Sequence, residues 1–132
     1  MQASNGNVSI TLADLAARFW TFQCEESPIT AIAAGVPTDA EQLMREAPAD
    51  SERRASWARA AQSELAAIDP EQLSVQDRAT RQLLDFEFRH LVEIVESGAH
   101  LRPTLYPLGP EFTLIYWANS TALATAADAR HG

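Results

Sequence analysis

One pair of side chains in this sequence has the spacing of a helical metal-binding or acid–base pair. Glu87 and His90 are three residues apart, so on a helix both project from one face. A di-iron bundle uses two such Glu-x-x-His segments and two further Glu residues on facing helices. The chain has no second Glu-x-x-His. The alternatives that remain are a cleft-lining pair and a buried polar pair satisfied by Arg, Trp or backbone groups.

A second group of candidate residues lies in a stretch rich in proline and aromatic side chains, at 106–117. Aromatic residues beside rigid prolines can line a substrate cleft or dock onto another polypeptide. Docking would leave this surface exposed in the isolated chain, so we predict self-association. Together with the Glu-x-x-His pair, the candidate cleft-lining residues are Glu87, His90, Tyr106, Phe112, Tyr116 and Trp117.

The sequence lacks the motifs of other common catalytic and metal sites. Cys24 is followed by Glu25 and Glu26, whose negative charges disfavour a reactive thiolate. There is no Gly-x-Ser-x-Gly elbow, no phosphate-binding glycine loop and no Cys/His ladder with zinc spacing. The sequence therefore predicts no catalytic residue, no metal ligand and no cofactor of its own.

Composition restricts the class of protein. The 132 residues include 18 acidic and 10 basic side chains, giving a formal net charge of −8. This length predicts one domain or part of one, and the acidic balance argues against nucleic acid as a partner. A single cysteine fits a reducing, cytoplasmic setting. Without a leader pattern or an apolar run of about 20 residues, we expect no membrane span.

The positions of these candidates depend on the predicted helices, of which three precede the Glu87–His90 pair. Residues 1–10 are polar and unpatterned, so we expect disorder there. Thr11 and Asp14 form a capping box for the first helix. Ser27 as N-cap and Gly35 as stop predict a short helix at 28–34, and a linker with one turn at 41–45 follows. A third helix begins near Asp50 or Ser51 and ends near 68.

The fourth predicted helix runs from Val75 to Ser97, capped by Ser74 and stopped by Gly98. Its apolar positions form two groups that together cover roughly 200° of the wheel, wider than the stripe of a surface helix. We therefore expect it to be buried on two sides within a bundle. The first group contains Ala79, Leu83, Phe86 and Ile94, and the second contains Leu84, Phe88, Leu91 and Val95.

The segment after Gly98 reads as a proline-rich loop followed by the start of a further helix. Residues 112–117 suit either a short strand or a fifth helix. Thr125 with Asp128 forms a capping box that only four residues follow. The sequence thus predicts an all-α fold, a multi-helix bundle layer over 11–98 with a proline-rich loop at 99–132, forming the incomplete N-terminal portion of a larger helical protein.

Several phrases, in order, resemble the N-terminal part of the bacterial family catalogued as domain of unknown function 885. The first is Phe-Trp-Thr-Phe-Gln-Cys-Glu-Glu-Ser-Pro at 19–28, leading into Ala-Ala-Gly-Val at 33–36. The second is Leu-Ala-Ala-Ile-Asp-Pro-Glu-Gln-Leu-Ser at 65–74. The last two are Leu-Tyr-Pro-Leu-Gly-Pro at 105–110 and Thr-Ala-Ala-Asp-Ala at 125–129.

This resemblance implies a helical protein several hundred residues long, related in fold to the carboxypeptidase Taq zinc peptidases. In those enzymes a His-Glu-x-x-His helix and a later Glu hold zinc. Here His90, His100 and His131 are not followed by Glu, so no ligand carries over. The implied role is a scaffold segment of a metallopeptidase-like hydrolase, inactive alone, whose partner is the remainder of that protein or a second chain. A stand-alone helical protein–protein interaction module is the alternative.

Overall fold

The computed structural model describes residues 2–38 and 45–102, together with Phe112, Leu114, Ile115, Ala118 and Asn119. These residues contain helices and no strand, which confirms the predicted all-α class. Two short 3-10 turns flank the last long helix, at Pro70–Gln72 and Ala99–Leu101. The four helices are α1 (Gln2–Glu26), α2 (Pro28–Ala33), α3 (Pro48–Ala66) and α4 (Val75–Glu96).

Local side-chain chemistry sets the ends of α2 and α4 as predicted. The Ser27 hydroxyl accepts a hydrogen bond from the Thr30 amide, and the Ser74 hydroxyl accepts one from the Asp77 amide at 3.1 Å. These bonds satisfy amide groups that the first turn of a helix leaves free. Gly98 follows α4 with a φ of 71°, a left-handed conformation that glycine adopts without strain.

The start of α1 differs from the prediction, because the helix begins at Gln2 and not at Thr11. The Thr11 hydroxyl does not cap a helix start. It donates to the Asn7 carbonyl at 3.0 Å, a bond made inside a helix. Two residues earlier, the Ser9 hydroxyl donates to a carboxylate oxygen of Asp77 at 2.7 Å. This contact between distant parts of the sequence holds in place a segment for which local patterns predict no helix.

The segment after α4 favours one of the two predicted alternatives. Phe112, Leu114, Ile115, Ala118 and Asn119 are all helical, which supports a fifth helix rather than a strand. The predicted loop at 103–110 and the Thr125 capping box lie outside the described residues. So does most of the predicted turn at 41–45.

The chain divides into two compact units, and the first contains residues 1–19 and 47–101. In this unit the short link between α3 and α4 makes them antiparallel neighbours, because Arg81 reaches the Leu65 carbonyl while Arg59 pairs with Glu96. The buried hydrophobic residues of the unit are Leu12, Leu15, Phe19, Ala55, Ala58, Ala61, Leu65, Ile68, Leu73, Leu84, Phe88 and Val92.

Three aromatic rings form the centre of this core. Phe88 is fully buried, and its ring meets those of Phe19 and Trp57 edge to face at centroid distances of 5.1 and 5.7 Å. Phe19 stacks on Trp57 at 5.8 Å. Edge-to-face pairs add to the free energy of area burial. Alanines at 55, 58 and 61 are buried along the neighbouring face of α3, where small side chains let helices approach closely.

The second unit contains residues 20–46 and 102–132, and its described helical parts are the end of α1, α2 and the residues around 112–119. Pro28 and Ala31 are its buried residues on α2. The lone cysteine, Cys24, is half-buried.

Across both units, none of the described helices combines the length and apolar character needed to cross a bilayer.

Candidate functional site

The two predicted apolar groups of α4 have different environments. The group of Leu84, Phe88, Leu91 and Val95 is covered by the chain itself, since Leu84 and Phe88 are buried and Leu91 and Val95 are half-buried. Val92, which was not assigned to this group, is buried with them. In the other group Ala79, Leu83 and Phe86 are exposed, with 60 % of Leu83 and 61 % of Phe86 accessible to solvent, and Ile94 is half-buried. Within this chain α4 is therefore covered on one side only, and its burial on the second side by a larger bundle stays a prediction.

We call the exposed surface the outer face of α4 and define it by Val75, Ala79, Leu83, Phe86 and His90, all of which are exposed. At about 100° per residue these positions share one stripe about 80° wide. Val75 was not assigned to an apolar group from the sequence, although the wheel places it about 20° from Phe86. Exposed apolar stripes of this kind mark surfaces that bind other polypeptides.

Glu87 and His90 do not form the buried polar pair that was one alternative. Glu87 is half-buried and His90 is exposed. In the part of the chain that the structure describes, no hydrogen bond or ion pair joins the two side chains. The His90 ring instead lies parallel to the Phe86 ring, with centroids 6.5 Å apart and an interplanar angle of 4°. His90 therefore extends the apolar outer face rather than serving Glu87.

A shallow, open depression of about 450 Å³ adjoins the outer face at the C-terminal end of α4. His100 closes the helix end beside it, since its Nδ1 lies 3.2 Å from the Ile94 carbonyl and can donate to it. The carboxylates of Glu93 and Glu96 lie at the C-terminal end of the helix, where a cation is favoured. Glu96 already pairs with Arg59 at 3.5 Å. The lining residues are His90, Glu93, Ile94, Glu96, Ser97 and Ala99.

The described part of the chain contains no candidate metal site, because no three His, Cys, Asp or Glu side chains converge there. The residues present there do not fit the zinc that the resemblance implies for the larger protein, so we assign no catalytic step through a metal.

The ionic groups with resolved pKa shifts belong to structural pairs. Arg18 bonds to Glu64 across the α1–α3 contact and to Asp14 at 3.0 Å within α1. The hydrogen bonds from Arg18 hold the pKa of Glu64 below its usual value, and both carboxylates raise the pKa of Arg18. Asp50, whose pKa is lowered by a hydrogen bond from Arg53, pairs within α3. Of these pairs, only Arg18–Glu64 joins two helices, and these surface pairs do not surround a cleft.

Of the aromatic candidates, only Phe112 is among the described residues, and it is half exposed in the second unit. Tyr106, Tyr116 and Trp117 lie outside the described residues. The cleft that these side chains would share with Glu87 and His90 therefore stays a prediction.

No protein-family model, no curated protein and no solved structure matches this chain.

Proposed function

We propose that this chain is an N-terminal helical scaffold segment of a metallopeptidase-like hydrolase of the domain of unknown function 885 family. The proposal rests on the order of the family-like phrases and agrees with the all-α class. In it the segment is inactive alone and acts in the cytoplasm, where a single thiol such as Cys24 stays reduced.

The observation that carries this proposal is the division of α4 into a covered and an uncovered apolar face. Phe88 is fully buried, whereas Phe86 on the same helix is 61 % exposed. A solvated surface helix would place polar residues where Leu83 and Phe86 lie. A helix with apolar side chains on both sides is instead typical of one that packs between two layers. The outer face is therefore the surface that joins this segment to further polypeptide.

The alternative, a helical protein–protein interaction module, is favoured by the core of the first unit. Leu12, Leu65 and Phe88 are each nearly or completely buried, and no polar or charged residue is buried in the described part of the chain. A core of this kind contains no buried polar side chain that would need a hydrogen-bond partner from another molecule. Such a module would fold alone and use the same outer face for binding.

Isolation of the chain from its natural source tests the proposal. Mass spectrometry of the purified material should detect a His-Glu-x-x-His peptide, either in the same polypeptide or in a stoichiometric partner, together with zinc. Absence of both the peptide and zinc would refute the scaffold role and leave the interaction module as the remaining candidate.

A hydrolase assay of the 132-residue chain with added zinc provides the second test. We expect no turnover, and Glu87→Ala and His90→Ala serve as matched variants of the Glu-x-x-His pair. Turnover that chelation abolishes, and that either variant removes, would contradict the assignment of an inactive segment.

A further inference from the structure

Two charged side chains without partners flank the outer face of α4. Arg78 and Glu93 are exposed, and neither side chain makes an ion pair or hydrogen bond within the described part of the chain. At about 100° per residue, Glu93 lies at one edge of the outer face, in line with Val75, and Arg78 lies about 60° beyond the same edge. They are about 22 Å apart along the helix axis at about 1.5 Å per residue. Their midpoint falls between Asp85 and Phe86, in the C-terminal half of the outer face.

We propose that the outer face binds the outer face of a second copy of this chain, with the two α4 helices antiparallel about a two-fold axis beside Phe86. In antiparallel pairs the same flank of each helix faces its counterpart. Arg78 of each copy then meets Glu93 of the other, so one contact is made twice, as a symmetric interface requires. This inference rests on the proposed function only in treating the outer face as a packing surface.

The apolar residues are compatible with the same register. Phe86 lies next to the axis and meets Phe86 and Leu83 of the second copy. The small Ala79 lies within about 3 Å, along the axis, of the larger His90 of the second copy, so a small side chain faces a large one. The helix dipoles oppose each other, which avoids placing like partial charges together.

A parallel pair fits the charges less well. It would place Arg78 against the other flank, whose carboxylate, Glu87, lies about 13 Å further along the axis. Arg89 would be nearer to that carboxylate, but Arg89 already pairs with Asp85 within its own helix. Arg78 and Glu93 would both remain unmatched. The charges therefore favour the antiparallel arrangement.

The size of the outer face predicts a weak dimer. The outer face runs from Val75 to His90 and is therefore about 24 Å long, and a stripe about 10 Å wide offers roughly 240 Å². A stable interface buries about 800 Å² on each partner. Each copy also carries a net charge of −8, which opposes association. We expect a dissociation constant of roughly 10–100 µM.

Disulfide cross-linking of the full chain in a Cys24→Ser background tests the register. In the proposed dimer, two Ala79→Cys positions are about 20 Å apart and two His90→Cys positions about 14 Å apart, too far for a disulfide, whose Cα atoms lie within about 7 Å. Neither variant should cross-link alone, whereas an equal mixture should yield a heterodimer under mild oxidation. Cross-linking of either variant alone, or none in the mixture, would overturn the antiparallel pair.

Charge reversal supplies an independent test by sedimentation equilibrium. Arg78→Glu should weaken dimerisation about tenfold, since it places like charges together at two symmetric contacts. Adding Glu93→Arg should restore the affinity to within about twofold of the original. Gln76→Glu, on the opposite flank of the same helix, controls for half of the change in net charge, since it adds one negative charge per copy whereas Arg78→Glu changes the charge by two. A double variant as weak as Arg78→Glu would refute the contact.

Failure of the dimer is distinguishable from failure of the proposed function. A chain that stays monomeric up to about 1 mM, well above the expected dissociation constant, refutes the dimer. The scaffold role would still stand if a His-Glu-x-x-His polypeptide co-purified with the chain. The dimer without that polypeptide supports the inference and removes the hydrolase assignment.

Discussion

The aromatic core of the first unit permits a quantitative test with an internal control. Phe88→Ala removes a ring that is fully buried between Phe19 and Trp57. Phenylalanine-to-alanine changes in cores cost about 3–5 kcal/mol through lost burial and the cavity that remains. Loss of two edge-to-face contacts places Phe88→Ala in the upper part of this range.

Phe86→Ala is the matched control, since the same substitution occurs in the same helix with the same change in helix propensity. Its ring is 61 % exposed, so we expect a loss below about 1 kcal/mol. Urea unfolding followed by far-UV circular dichroism, at low-micromolar concentration where the chain is monomeric, gives both values. Equal losses in the two variants would contradict the division of α4 into a buried and an exposed face.

Three further predictions concern the contacts that hold the helices in place. Ser74→Ala should cost about 1 kcal/mol in urea unfolding because the Asp77 amide loses its cap, whereas Ser63→Ala, at an exposed site inside α3, should be nearly neutral; equal losses would exclude the cap. Arg81→Lys should cost about 1–2 kcal/mol, since an ammonium group cannot reproduce the planar fork that donates to both the Ile68 and Leu65 carbonyls, and an unchanged unfolding midpoint would refute this. The third concerns pH: Arg18 lowers the pKa of Glu64 in the folded state from 4.5, so this contribution to stability is present above that pH and is lost as the pH falls through the folded-state pKa. Glu64→Gln should therefore lose less stability than the original chain between about pH 6 and pH 3, and identical losses would contradict the contact.

Local chemistry explains why α2 and α4 could be predicted closely. Ser27 and Ser74 cap neighbouring amides, and Gly98 takes a left-handed conformation, so these ends are determined by a few adjacent residues. The start of α1 could not be predicted this way. Its first turns include Ser9, which bonds to Asp77 far away in the sequence, and no local pattern contains that contact.

The candidate site was predicted in part. The helical wheel separates the two apolar groups of α4, but it does not say which one the chain covers. That choice depends on Phe19 and Trp57, which reach Phe88 from other helices. The same packing leaves His90 exposed beside Phe86, so periodicity alone could not decide between a buried and an exposed Glu-x-x-His pair.

Hydroxyl-radical footprinting of Phe86 and Phe88 over a range of chain concentrations tests most directly whether the outer face of α4 binds another polypeptide. We predict that Phe88 is protected at every concentration. Phe86 should react in dilute solution and become protected as the concentration passes the dimer dissociation constant. Equal reactivity of Phe86 at all concentrations would contradict binding through the outer face, whereas reactivity of Phe88 in the dilute folded chain would contradict the division of the helix into a buried and an exposed face.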